Sequence, residues 1–174
     1  MRLNLKRRLT SMPEFSLRLA NDDLIFSAAH FITFEGGECE ALHGHDYQLA
    51  LEVQGPLNSQ QYVVDFAVLH ELLKRILKEL DHRVLLAQKH PRIKIQTIGN
   101  ELEVALGDRR WVLPKQDCLL LPVVNTTTEM LAQFLARRIF EELAGRKIAG
   151  LKYIRVELRE SSGFTAICHS ESDE

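Results

Sequence analysis

Apolar residues recur along the chain in two rhythms, and the rhythm changes at turn-forming residues. FSLRLANDDLIF (Phe15–Phe26) opens with Leu17 and Leu19 alternating against Ser16 and Arg18. A period of two predicts a strand, or two short strands broken at Asn21-Asp22-Asp23. HGHDYQLALEVQG holds the same period for longer. His43, His45, Tyr47, Leu49, Leu51 and Val53 fall on one face, with Gly44, Asp46, Gln48 and Glu52 on the other. A half-buried strand ending near Gly55-Pro56 is expected. The rhythm then becomes helical. Phe66, Leu69, Leu73, Ile76, Leu77 and Leu80 lie three or four apart behind Asp65, a capping residue. A second helix is predicted after Asn125-Thr126-Thr127, where Leu131, Leu135, Ile139 and Leu143 recur every fourth residue before Gly145.

Between the helices, RIKIQTIGNELEVALGDRRWVLP reads as a β-meander turning at Gly99-Asn100 and Gly107-Asp108. YIRVELRE alternates cleanly near the C-terminus, and FTAICH follows a Ser-Ser-Gly turn. The order is β-β-α, meander, α-β-β. Antiparallel pairing with two helices on one face indicates an α+β fold.

Composition narrows the functional classes. The chain has 174 residues, of which 45% are apolar and 26% charged, and these suit one domain spanning 1–174. A formal net charge of −2 argues against general nucleic-acid affinity, which requires a dense basic surface. Arg2, Lys6, Arg7 and Arg8 make a basic N-terminus, but no apolar stretch follows, so a secretory signal is not expected. No apolar run approaches the roughly 20 residues that span a bilayer, so no membrane is expected as a partner. Three separated cysteines without a CxxC pair suit a reducing cytoplasm.

The chemistry concentrates in HFITFEGGECEALHGH (residues 30–45). In a strand, His43 and His45 project from one face about 7 Å apart. His30 on a neighbouring strand could add a third nitrogen. Three imidazoles suit Zn²⁺ and leave a position open, as in a catalytic site. The alternative is that HxH is merely two histidines on a strand, and spacing alone leaves both readings open. Glu160 shares a strand face with Ile154, Val156 and Leu158. It is either at the strand's wet end or satisfied by a partner, because an unpaired buried carboxylate is costly. Cys118 and Cys168 sit in apolar runs and read as core; His70, His90 and His169 read as structural or solvated.

FSAAH (26–30), Cys39-x3-HGH, Asp65-Phe66, Leu80-Asp81-His82, Thr127-Thr128-Glu129 and Glu160 occur in one register. Together they resemble the 6-pyruvoyl-tetrahydropterin synthase family, which includes the 6-carboxy-tetrahydropterin synthases of queuosine biosynthesis. The match covers roughly residues 15–87 and 122–170. It implies the tunnelling fold, in which subunit sheets join into a barrel, usually as a hexamer. It also implies His30, His43 and His45 as zinc ligands. Cys39 would be the catalytic base, tuned by Asp81 and His82 in a relay assembled across a subunit interface. Glu160 would anchor the pterin ring and take part in proton transfer, and Thr127 and Thr128 would line the pterin pocket. The two threonines are equally good helix caps, and apart from the motif Asp81-His82 reads as a helix C-terminus, where an imidazole meets exposed carbonyls.

The substrate implied is 7,8-dihydroneopterin triphosphate, with the ring reduced at the expense of its side chain and no nicotinamide or flavin needed. The three-residue spacer from Cys39 to His43 resembles the carboxy-forming type, so 6-carboxy-5,6,7,8-tetrahydropterin, acetaldehyde and triphosphate are the expected products. Pyruvoyl-forming members have a longer spacer, and folate-branch relatives replace the cysteine with glutamate. Residues 88–121 stand as an insertion where compact relatives have a short loop, and Ser161 stands where many have threonine. A catalytically silent, zinc-binding oligomer remains the reading from a different class.

Overall fold

The computed structural model describes residues 15–146, 148, 150–160 and 163–171. The basic N-terminal residues and Ser161 lie outside these.

FSLRLANDDLIF forms two strands, β1 (Phe15–Leu19) and β2 (Ile25–His30), separated by the polar turn. Both pair antiparallel with β3 (His43–Gly55), Phe15 opposite Gly55 and His30 opposite His43. The long strand thus spans two short partners in succession. Its other edge takes β9 (Tyr153–Arg159), which pairs in turn with β10 (Thr165–Glu171). Two further strands have no counterpart in the sequence reading. β4 (Arg83–Ala87) runs parallel to β2, and β8 (Cys118–Leu121) parallel to β4. Their sequences, RVLLA and CLLL, are short apolar runs without alternation, which is how buried parallel strands read.

Two helices cover one face of this sheet. In α1 (Phe66–Leu80), Asp65 caps the start by accepting from Ala67 N at 2.8 Å. In α2 (Thr128–Gly145), the cap is Thr127, accepting from Met130 N at 3.4 Å. Leu69, Leu73, Ile76, Leu131, Leu135 and Ile139 pack with Phe26, Tyr47, Leu49, Leu51, Ile154, Val156 and Leu158 in one core. The period-two face expected from the sequence is therefore the covered face. His43 and His45 continue that face beyond its last aliphatic position.

The meander forms a separate antiparallel sheet of β5 (Lys94–Ile98), β6 (Glu101–Leu106) and β7 (Arg109–Pro114). Its turns fall at the two expected glycine pairs, where Gly99 and Gly107 take φ of 60° and 61°. A side chain would be strained at that φ. This sheet docks on the segment that follows His30. Leu102, Val104 and Leu106 form a second apolar cluster with Phe31 and Leu86, and Trp111 stacks on Phe31 at 4.6 Å.

His90 fastens the start of the meander. Its Nδ1 accepts from the backbone N–H groups of Arg92 and Ile93, both at 3.1 Å, so Nε2 carries the proton and donates to Thr33 Oγ1 at 3.0 Å. Burial, and secondarily the Arg92 charge, hold this imidazole's pKa below the ordinary 6.5. The unfolded chain then binds more protons than the folded one in mildly acidic solution. The contribution of His90 is present above pH 6.5 and is lost as pH falls towards the lower folded value. Thermal unfolding at pH 7.5 and pH 5.5 should therefore show a smaller acid loss in His90→Asn, whose side-chain oxygen accepts at both pH values. Parallel curves for the two proteins would contradict this.

Candidate metal centre

His30, His43 and His45 meet because β2 and β3 are in register. His30 sits opposite His43 on the adjacent strand, and Ala28 sits opposite His45, leaving room for its ring. One donor atom from each of the three histidines lies within 4.8 Å of the others, and the ring centroids are 4.6 to 5.3 Å apart. Two rings are oriented from behind. His30 Nδ1 donates to the Thr126 carbonyl and His43 Nδ1 to the Ala41 carbonyl, each at 2.8 Å. Those bonds fix the tautomer and leave the Nε2 lone pairs towards the cleft, as metal-ligating histidines require. His30 is 3% exposed, and burial drives its pKa down, against the opposing pull of Thr126. A neutral imidazole is the ligating form. The donor set therefore fits a divalent, nitrogen-preferring ion.

The elements around the triad define the rest of the site. Thr126, 1% exposed, donates through Oγ1 to the Phe31 carbonyl at 2.8 Å. Asn125 bonds both the carbonyl and the N–H of Thr33. The approach to α2 is thereby stitched to the end of β2. The cleft in front of the histidines encloses about 470 Å³, and its walls include Thr127, Thr128, Glu129, Glu160, Phe164 and Glu40. Thr127 therefore both caps α2 and faces the cleft.

Glu160 reaches the triad from the end of β9, its Oε1 lying 3.4 Å from His45 Nε2 and 3.8 Å from His30 Nε2. Tyr47 donates its hydroxyl to the same oxygen at 3.1 Å. The sequence placed Tyr47 on the histidine face, yet gave no sign that it would brace a carboxylate. Tyr47 is fully buried, and burial followed by the Glu160 charge pushes its pKa far upward, so it remains a hydrogen-bond donor.

Glu40 is a second group the sequence reading passed over. Its Oε2 lies 3.7 Å from His43 Nε2, on the same cleft. In the sequence it registers only as a charge beside Cys39. Local backbone pairing explains the difference: Glu40 N donates to Ile32 O at 3.0 Å, and Thr33 bridges Cys39 in an antiparallel pair. In extended chain, neighbouring side chains point to opposite sides. Glu40 thus faces the histidines, and Cys39 faces away. The Cys39 thiol donates to the Glu40 carbonyl at 3.1 Å and lies 3.6 Å from Arg109 Nη1, in an adjoining cleft of about 550 Å³. Burial raises its pKa, and Arg109 opposes that rise.

Asp81 and His82 occupy a third place. Asp81 ends α1 and accepts from Ser27 N at 2.9 Å, a bond that holds its carboxyl below the usual range. His82 Nδ1 lies 2.9 Å from Asp81 Oδ2, and the His82 side chain, 82% exposed, looks onto the uncovered face of the sheet beside Ser27 and Asp46. Within one chain, Cys39 and His82 line different clefts.

The chain is similar to several known proteins. Residues 22–171 match the family model described as 6-pyruvoyl tetrahydropterin synthase. A Methanocaldococcus jannaschii protein, provisionally named 6-carboxy-5,6,7,8-tetrahydropterin synthase, is 30% identical over 80% of this chain and 86% of its own. A dihydroneopterin monophosphate aldolase from Pyrococcus furiosus is 43% identical over a shorter stretch, 34% of this chain and 50% of its own. Among solved structures, a Plasmodium vivax 6-pyruvoyltetrahydropterin synthase superposes with a TM-score of 0.85 at 28% identity, covering 92% of this chain and all of that one. That protein was solved as a variant in which a catalytic glutamate is replaced by alanine. The fold is accordingly the α+β tunnelling fold, and no described helix is long and apolar enough to cross a membrane. The chain belongs to the 6-pyruvoyl tetrahydropterin synthase family and is a pterin-processing enzyme of that family's lyase type.

Proposed function

We propose that the chain is a zinc-dependent cytoplasmic lyase of the queuosine pathway, converting 7,8-dihydroneopterin triphosphate to 6-carboxy-5,6,7,8-tetrahydropterin with release of acetaldehyde and triphosphate. The observation that carries the reading is the convergence of three imidazole donors on one cleft, with the carboxylates of Glu40 and Glu160 within 4 Å of them. His30, His43 and His45 would hold Zn²⁺. The ion would supply Lewis acidity towards the substrate's side-chain hydroxyls. Glu160, braced by Tyr47, offers its remaining acceptor capacity to the amino and ring N–H groups of a pterin, a bidentate geometry that suits a carboxylate. Thr127 and Thr128 line the same space. Glu40 stands where it can take a proton from the substrate's side chain and return it. The glutamate named as a catalytic residue in the Plasmodium vivax relative supports a carboxylate as a competent group in this family's chemistry.

Cys39, with Asp81 and His82, makes the other candidate relay. It requires His82 from a second subunit and so a homo-oligomer, for which a hexamer is the family's usual form. The name of the Methanocaldococcus jannaschii relative supports the carboxy-forming reaction over pyruvoyl formation. A second reading, aldol-type cleavage of the dihydroneopterin side chain, is favoured by Glu40 beside the histidines and by the aldolase relative. Mass analysis of products from 7,8-dihydroneopterin triphosphate separates these. Carboxy-tetrahydropterin with acetaldehyde is the expected result. Pyruvoyl-tetrahydropterin or a hydroxymethyl-dihydropterin would replace it with a sister reaction, and zinc binding without turnover would leave a silent binding module.

A further inference from the structure

The inserted sheet contributes more than stability. Its strand β7 starts at Arg109, and Arg109 Nη1 donates to the Glu40 carbonyl at 2.8 Å while approaching Cys39 Sγ at 3.6 Å. One guanidinium thus holds the Glu40–Ala41 peptide and reaches the Cys39 thiol, touching both candidate proton-transfer residues. The strand is itself anchored close by. Leu106, opposite Arg109 in the β6–β7 register, is buried in the second apolar cluster, and Trp111 stacks on Phe31 beside the ligand His30. Arg92, at the start of the same insertion, packs on the site loop so closely that a Cβ on Gly37 would collide with its guanidinium.

We propose that Arg109 is a positioning residue of the active site: it clamps the Glu40 carbonyl, in the Glu40–Ala41 peptide, and reaches the Cys39 thiol, and so helps hold the Glu40 carboxylate towards the histidine triad and the Cys39 thiol away from it. The proposal deepens the functional reading above and rests on it for its catalytic consequence. Without the clamp, the loop keeps its backbone pairing to Ile32, Thr33 and Phe34 but loses the side-chain bond that steadies the Glu40–Ala41 peptide beyond it. Both side chains then sample other directions. A misplacement of about 1 Å is enough to cost roughly 100-fold in rate.

The test uses Arg109→Ala, Arg109→Lys and the neighbouring Arg110→Ala. Arg110 pairs with Glu103 inside the meander at 2.6 Å, with no hydrogen bond or ion pair to the site loop among the described residues, so it reports any general loosening of the inserted sheet. Two quantities are read in each full-length protein. One is the pH midpoint of Cys39 alkylation by iodoacetamide, followed by peptide mass so that Cys118 and Cys168 are scored separately. Arg109, Arg92, Glu38, Glu40 and Asp108 are the charged groups around that thiol, and Arg109 is the one within bonding distance through its side chain. The other is kcat and KM on 7,8-dihydroneopterin triphosphate. Arg109→Ala should move the midpoint up and lower kcat about 10- to 100-fold with KM changed little. Arg109→Lys should recover part of both, and Arg110→Ala should match the wild type. An unmoved midpoint and unchanged kcat in Arg109→Ala would overturn the clamp. Equal losses in Arg110→Ala would assign the effect to the sheet's stability instead and overturn it too. Should the wild type fail to turn over, the functional reading falls separately: a raised thiol midpoint in Arg109→Ala still supports the clamp, and an unmoved one still overturns it.

Discussion

Replacing His45 with alanine should abolish zinc binding and lower turnover by roughly a thousandfold. The magnitude follows from the several kcal/mol of charge stabilisation a Lewis-acidic ion supplies, at about 1.4 kcal/mol per factor of ten. His45 is the informative position because its side chain is 21% exposed and lies at the outer end of the covered face. Its loss leaves little cavity, so the variant should fold. His30→Ala would confuse the result. That residue is 3% exposed and holds the Thr126 carbonyl, so its removal opens a void and strands a buried acceptor. Metal content by elemental analysis, circular dichroism and kcat together check the prediction. A His45→Ala protein that kept zinc and full activity would show that His45 neither holds the ion nor serves turnover.

Glu40→Gln should lower kcat by about 10² to 10⁴, the usual contribution of a positioned general acid–base group, with zinc content unchanged. Glutamine preserves size and the loop's backbone bonds while removing the proton acceptor beside His43. Comparison with Cys39→Ala decides between the adjacent residues. If Glu40→Gln stays active and Cys39→Ala is dead, the thiol is the proton acceptor, and the relay must be completed by His82 of another subunit. If both are impaired, the two residues serve successive proton transfers.

The sequence carried the scaffold well because the scaffold is periodic. Leu49, Leu51 and Val53 alternate since one side of β3 meets the helices, and the same phase carried the eye to His43 and His45. Asp65 and the two glycine-pair turns have local chemistry that reads without tertiary context. The parallel strands β4 and β8 were illegible because both faces of such strands are apolar, which erases alternation. Of the site, Glu160 could be singled out by a charge in phase with Ile154, Val156 and Leu158. Glu40 could not. It lies in a loop whose side-chain directions depend on the pairing of Thr33 with Cys39, six residues apart and without a pattern of its own. Arg109 was hidden for a different reason: its contact with Glu40 crosses 69 residues and depends on how the three-stranded meander docks.

The most direct test of the account is X-ray absorption at the zinc edge of the purified, unmutated enzyme, with metal stoichiometry measured on the same sample. One zinc per chain with light-atom scattering and imidazole multiple scattering, and no sulfur, is the predicted result. A sulfur ligand would mean that Cys39 turns into the centre rather than towards Arg109. A protein that turns over fully while metal-free, and cannot be loaded, would contradict the role given to His30, His43 and His45.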